Sequence, residues 1–201
     1  MVEWQKTDRL LLVLDAEPKT LLSGGPRWRA LGLTPAAEYA PTRWVDLVGE
    51  LVLDYTNQAE EANAFEASAR AGARFYFVRG RLQLRDLFRV EVRNLFYDDD
   101  TTDTSWRTRN RVELRYALNR PRNADPGAII AIADWEWFAP VDGDPGERFA
   151  SRHRVRLGLG HRANARWRFD AIYIWQRSRN TFDEPFGSAD HIVDLRARLN
   201  F

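Results

Sequence analysis

Histidine is the side chain most often used for acid–base catalysis and metal binding near neutral pH, and this sequence has three, His153, His161 and His191. Their spacing does not match a zinc site. A catalytic histidine must also lie beside a nucleophile, but the alternation around all three puts them on the apolar face of their segments. We therefore expect the histidines to be polar surface residues, two of them near strand ends. We expect no catalytic residues, no metal and no cofactor. The absence of cysteine removes disulfides, thiol catalysis and cysteine-based zinc sites.

Asp134 and Glu136 are the carboxylate pair best spaced for acid–base chemistry, because residues two apart share one face of a strand. Arginines expected on the adjoining strands would hold both carboxylates in ion pairs instead. Acidic clusters at 98–103, 142–144 and 183–184 read as solvated loop tips. The 142–144 cluster has too few oxygens to bind calcium by itself. The alternative to solvated loop tips is that the acidic clusters bind divalent cations, which would bridge them to lipid phosphates. Gly158 and Gly160 lie inside a strand, which excludes a nucleotide-binding loop.

Arginine is the unusual residue here, with 28 arginines against two lysines among the 30 basic residues. On the six later strands the polar face carries an excess of ten positive charges by our count. Such a face fits either a narrow anion-selective pathway or a ladder of ion pairs that fills a small barrel. The preference for arginine over lysine has an alternative explanation, which is the codon usage of a GC-rich genome. The side chains expected to line the interior are Arg85, Arg89, Arg93, Arg109, Arg111, Glu113, Arg115, Asp134, Glu136, Arg152, Arg154, Arg156, Arg168, Asp170, Arg196 and Arg198.

Period-two alternation dominates the chain and predicts β-strands with two different faces. The predicted strands are 9–17, 27–38, 44–57, 64–77, 81–97, 106–118, 128–140, 149–162, 166–177 and 193–201. One misfit, Asp86, falls on the apolar face and suggests a bulge. Long connections alternate with short ones, except that 119–127 is too long for this scheme. The expected fold is all-β, a single domain over 1–201 that forms a closed up-and-down antiparallel transmembrane barrel of about ten strands, with eight or twelve as alternatives.

The same alternation fits a soluble barrel that binds a small apolar ligand, so the orientation of the faces decides between two classes. Strands of about 11–15 residues are long for a soluble domain but span a bilayer. Aromatic residues on the apolar face suit the two membrane–water interfaces. They are Trp106, Trp135, Trp137, Trp167, Tyr173, Trp175 and Phe201. A net charge of +1 argues against a nucleic-acid partner. The residues after Met1 lack the basic start, apolar core and cleavage site of a secretory leader, so we expect either a cytoplasmic protein or a mature chain.

Two blocks of sequence, 110–116 and 154–173, together with the strand that ends in Phe201, resemble the bacterial outer-membrane barrel family named domain of unknown function 2490. The resemblance is best over 105–201. It implies a Gram-negative outer membrane, an up-and-down barrel and a removed signal peptide, so that the chain reads as a mature form with an added Met1. It implies no activity. The expected partners are membrane lipid, lipopolysaccharide and the barrel-insertion machinery, which would read the C-terminal strand.

From these patterns we expect a non-enzymatic outer-membrane barrel with an arginine-rich, ion-paired lumen. Its role is either structural in the cell envelope or that of a porin-like anion pathway. A soluble ligand-binding barrel is the alternative, and an outer-membrane barrel enzyme is the third candidate. The sequence does not indicate an oligomeric state.

Overall fold

The computed structural model describes residues 1–21, 28–58, 62–141, 151–179 and 189–201. These residues form eleven β-strands and include no helix that could cross a membrane. The strands are β1 (Val2–Thr7), β2 (Leu10–Thr20), β3 (Trp28–Thr42), β4 (Val45–Gln58), β5 (Ala64–Val78), β6 (Leu82–Tyr97), β7 (Thr102–Ala117), β8 (Ile129–Pro140), β9 (Ser151–Arg162), β10 (Trp167–Arg179) and β11 (Asp190–Asn200).

The strands close into one barrel in which each strand pairs with its neighbours in sequence. All sequential pairs are antiparallel, whereas the closing pair of β1 and β11 is parallel. The ten predicted strands correspond to β2–β11, and the eleventh, β1, was missed because six residues are too few to establish a period. The barrel is therefore closed as predicted, but its strand number is odd and its closing pair is parallel.

Alternation along the strands separates two surfaces. Charged side chains occupy many of the buried positions, as at Glu91, Arg109 and Glu136, and apolar side chains such as Ile130 and Ile132 occupy others. Leu157 and Leu159 lie on the opposite surface, each 56% exposed. Because the buried charges contact one another across the strands, they face the barrel interior, and the apolar side chains form its outer surface.

The connections differ at the two ends of the barrel. We name the end that carries the turns at 8–9, 43–44, 79–81 and 163–166 the short-turn end, and the opposite end the long-loop end. The connection 118–128 is long although it lies at the short-turn end, as the sequence indicated. At the long-loop end the connection predicted over 98–105 is shorter than expected, since β7 begins at Thr102.

Asp86 does not form the predicted bulge. Its strand stays in register, with Asp86 opposite Phe75 and Val112, and the register shift lies in β5 between Tyr76 and Val78. On the outer surface the Asp86 carboxylate accepts a 3.3 Å hydrogen bond from the amide of Asn110. The amide therefore gives this outward carboxylate a polar partner.

Candidate functional site

A closed ring of alternating charges lies at the centre of the barrel interior. Its members are Glu50, Arg89, Glu136, Arg109, Glu91 and Arg70, contributed by the five consecutive strands β4–β8. The separations within the ring include 2.6 Å from Arg89 Nη1 to Glu50 Oε2 and 3.3 Å from Arg109 Nη1 to Glu91 Oε1. Each member contacts two others, so the ring ties together side chains that are far apart in sequence.

Two carboxylates of the ring, Glu91 and Glu136, are fully buried at 0% exposure. Arg107 Nε donates to Glu91 at 2.6 Å. Arg156 divides its fork between two acids, because Nη1 donates to Asp134 and Nη2 to Glu136, at 2.7 and 2.6 Å. If water reached this level from either end of the barrel, these carboxylate oxygens would be exposed. Because they are not exposed, we infer that side chains fill the lumen at the level of the ring.

Acids on the early strands balance arginines on the later ones. Glu66 accepts two hydrogen bonds from Arg93, at 3.1 and 2.7 Å. Glu38 accepts two from Arg74, at 2.5 and 2.8 Å, in a pair that lies within the early strands β3 and β5. These bidentate pairs have the geometry that favours arginine over lysine. The positive excess predicted from the later strands is thus reduced across the barrel, since the early strands supply Glu38, Glu50 and Glu66.

A second group of ion pairs lies nearer the short-turn end. Glu113 contacts Arg85 and Arg115, with separations of 2.6 and 2.5 Å. On β10, Arg168 Nε donates to Asp170 at 2.7 Å. A Cβ on Gly160 would lie 2.3 Å from the Asp170 carboxylate. The glycine inside this strand therefore makes room for an ion pair.

Four arginines surround one buried phenylalanine toward the long-loop end. The guanidinium carbons of Arg107, Arg109, Arg152 and Arg154 lie 4.6–5.6 Å from the centroid of the Phe138 ring. Contacts of this kind between a cation and an aromatic face are attractive. The arrangement concentrates positive charge beyond the central ring.

A cavity of about 530 Å³ opens at the short-turn end. Its lining includes Gln5, Glu38, Arg43, Asp46, Tyr76 and Arg79. The Tyr76 hydroxyl donates to Asp46 at 2.6 Å. This hydrogen bond connects the cavity wall to the neighbouring ion pairs of the interior. The lining is mixed, because Leu11, Ala40 and Pro41 lie beside these charged and polar side chains.

All sixteen side chains expected to line the lumen occupy interior positions. Buried are Arg89, Arg93, Arg109, Glu113, Arg115, Asp134, Glu136, Arg156, Arg168 and Asp170. Half-buried are Arg85, Arg111, Arg152, Arg154, Arg196 and Arg198. Two further arginines included in the charge count, Arg81 and Arg166, are exposed outside the strands at the short-turn end. Asp134 and Glu136 are held in ion pairs rather than left available for acid–base chemistry.

The aromatic and histidine side chains singled out from the sequence face outward. Trp106, Trp135, Trp167, Tyr173 and Phe201 are exposed, and Trp137 and Trp175 are half-buried. Trp135 lies near the middle of β8, not at a strand end. His161 and His191 are exposed and His153 is half-buried. The Tyr173 hydroxyl and His191 Nδ1 share a 2.5 Å hydrogen bond on the outer surface.

The acidic clusters are described only in part. Asp99 lies in the 98–101 turn and accepts hydrogen bonds from the amide and the hydroxyl of Thr101, and these bonds lower the pKa of its carboxyl group. Asp142, Asp144, Asp183 and Glu184 lie outside the described residues. In the part of the chain that the structure describes, no three histidine or acidic side chains are placed to hold a metal ion.

An apolar outer surface around an interior of ion pairs defines a closed β-barrel with charged residues in its core. The chain belongs to the family described as Protein of unknown function (DUF2490), whose profile matches residues 3–185. The match includes the first half of the chain and ends before β11 begins at Asp190. No curated protein matches the sequence.

Proposed function

We propose that this protein is an integral β-barrel of the bacterial outer membrane, with an ion-paired lumen and a structural role in the cell envelope. The observation that carries the proposal is the polarity of the two surfaces. Among the residues that the structure describes, thirty-five large apolar side chains are exposed, whereas Glu91, Glu113 and Glu136 are buried. Monomeric soluble proteins rarely expose continuous apolar surface of this kind, whereas a bilayer requires it.

The closed hydrogen-bonding pattern agrees with this placement. In hydrocarbon, backbone N–H and C=O groups must pair within the protein, so strands span a membrane as a closed sheet. The soluble alternative needs an apolar interior to bind its ligand, but the central interior consists of charged pairs such as Arg89–Glu50. The two partner classes that follow are membrane lipid with lipopolysaccharide, and the insertion machinery that would read the strand ending in Phe201.

The filled centre favours a structural role over transport. A porin leaves its lining charges in water, whereas Glu91 and Glu136 are inaccessible. We also propose that the protein is not an enzyme, because Arg156 binds both members of its best carboxylate pair.

Purified protein in planar lipid bilayers tests the role. We expect insertion without conductance at any salt concentration. Fractionation provides the companion measurement, because the protein should remain with outer membranes and need detergent for extraction. A monomer that is soluble without detergent would contradict the membrane placement, while steady ohmic conductance would contradict the filled lumen.

A narrow anion pathway is the second candidate, favoured by the arginines around Phe138. It predicts small anion-selective currents that are lost in Arg154→Glu or Arg156→Glu. Currents that persist in both variants would exclude these arginines as the selective element.

A further inference from the structure

Positive charge is concentrated in the connections at the short-turn end. Seven arginines and two aspartates lie in these five connections, which are 8–9, 43–44, 79–81, 118–128 and 163–166. In the sequence, the five connections at the opposite end carry ten acidic residues and two arginines. The connections at the two ends therefore differ in the sign of their charge, and the short-turn end attracts anions.

Three of these arginines meet around one cavity. Arg9, Arg43 and Arg79 come from the β1–β2, β3–β4 and β5–β6 turns, and all three line the cavity of about 530 Å³. Binding sites for small molecules in proteins have volumes of about 300–1,000 Å³. Arginines that are far apart in sequence therefore surround a space of the size that a small organic molecule occupies.

The three guanidinium groups are exposed, and none of them forms an ion pair with another of the described residues. Two of them lie against aromatic rings, Arg43 at 4.9 Å from the Trp44 centroid and Arg79 at 3.8 Å from the Tyr76 centroid. The Tyr76 ring is itself held in place, because its hydroxyl donates to Asp46. These contacts orient the two arginines while leaving their N–H groups available to a ligand.

Three acids also line the cavity, and two of them are already neutralised. Glu38 accepts two hydrogen bonds from Arg74, while Asp46 accepts one from Tyr76 and lies 3.4 Å from Arg74 Nη1. Asp8, the third acid, is exposed in the β1–β2 turn and forms no ion pair within the part of the chain that the structure describes. Three unpaired arginines against one unpaired aspartate leave the cavity positively charged.

Phosphate is the anion that suits this set of donors best. The planar fork of a guanidinium group donates two parallel hydrogen bonds to a phosphate or a carboxylate. A phosphate monoester has three terminal oxygens and up to two negative charges, so it can accept from several forks at once, whereas a carboxylate has two oxygens and one charge. Beside the arginines, Leu11, Ala40 and Pro41 provide an apolar part of the wall for an organic substituent.

We propose that this cavity binds a small phosphate monoester, with the phosphate group among Arg9, Arg43 and Arg79 and the organic group against the apolar part of the wall. Such binding goes beyond the structural role proposed above. The side of the membrane that the cavity faces rests on that proposed function, because the short turns of outer-membrane barrels lie in the periplasm. The donors and the volume of the site do not depend on it.

The test is isothermal titration calorimetry of the folded barrel in detergent micelles with phenyl phosphate, and empty micelles serve as the blank. We expect saturable binding at one site per barrel. Benzoate, which replaces the phosphate with a carboxylate, should bind at least tenfold more weakly, and inorganic phosphate, which lacks the organic group, at least threefold more weakly. The absence of saturable binding, or equal affinity for either comparison compound, would overturn the proposal.

Variants in the exposed turns locate the binding without disturbing the barrel interior. Arg43→Gln and Arg79→Gln should each weaken phenyl phosphate binding at least tenfold, whereas Asp8→Asn should strengthen it at least twofold because it removes a repelling charge. The matched control is Arg122→Gln at the same end, where Arg122 pairs with Asp125, and it should bind as the wild type does. An equal loss in Arg122→Gln would indicate general electrostatic attraction and overturn the site. Retained insertion into vesicles without phosphate binding would refute this inference while leaving the proposed function intact.

Discussion

Replacing Glu136 with glutamine removes one charge from a fully enclosed position in the interior. Glu136 has no exposed surface. Arg109 donates to it, Arg156 Nη2 lies 2.6 Å away, and Arg154 and Arg89 lie at 3.6 and 3.7 Å. Breaking a buried ion pair from one side costs about 3–5 kcal/mol, because the opposite charge stays buried without compensation.

Glutamine has nearly the volume of glutamate, so Glu136→Gln creates no cavity. Arg89 keeps its contact with Glu50, and Arg109 keeps its contact with Glu91. We therefore expect the lower end of that range, a loss of about 3 kcal/mol in the free energy of unfolding.

Urea unfolding in detergent micelles, followed by tryptophan fluorescence, measures this loss. The matched control is Arg122→Gln, because the Arg122 side chain is 74% exposed and its pair with Asp125 at 3.2 Å lies in a turn. An exposed pair contributes about 0–1 kcal/mol. If Glu136→Gln cost no more than this control, the interior network would not stabilise the barrel and the reasoning would be refuted.

Three further predictions test the walls of the barrel. Leu157→Arg puts a charge near the middle of an outward face and should cost about 2–4 kcal/mol in lipid vesicles; an unchanged unfolding free energy would argue against lipid contact. Gly72→Ala should abolish refolding, as judged by circular dichroism, because its Cβ would lie 2.0 Å from the Phe88 carbonyl, while Gly49→Ala, with nothing within 4 Å, should refold normally. Deletion of Phe201 removes a residue whose amide and carbonyl both bond to β1 and should lower the yield of membrane-inserted protein in cells, a result that wild-type yield would contradict.

The sequence alone predicted most of the barrel, because alternation is a local signal. Arg154, Arg156, Leu157 and Leu159 occupy the predicted faces of a single strand. Local signals do not show which segments meet when the sheet closes. The short strand Val2–Thr7 and its parallel pairing with β11 therefore became visible only in the folded chain.

The sequence also predicted only part of the charged interior. The basic half of the interior stands out as a run of alternating arginines, whereas the acids Glu38, Glu50 and Glu66 are scattered over three early strands. Each of these acids alternates with apolar neighbours, so the signal existed. Only the register of the strands shows that Glu50 reaches Arg89, 39 residues away.

The central claim is that the apolar outer surface lies against lipid, and spin-label accessibility tests it most directly. The chain has no cysteine, so single labels can be placed at the outward positions Val155, Leu157 and Leu159, with Arg122, whose side chain is 74% exposed in a turn, as the control in water. In reconstituted vesicles the outward labels should collide freely with oxygen and hardly at all with a water-soluble nickel reagent, whereas the label at Arg122 should collide freely with the nickel reagent. Outward labels that collide with the nickel reagent as freely as a loop label would contradict the claim.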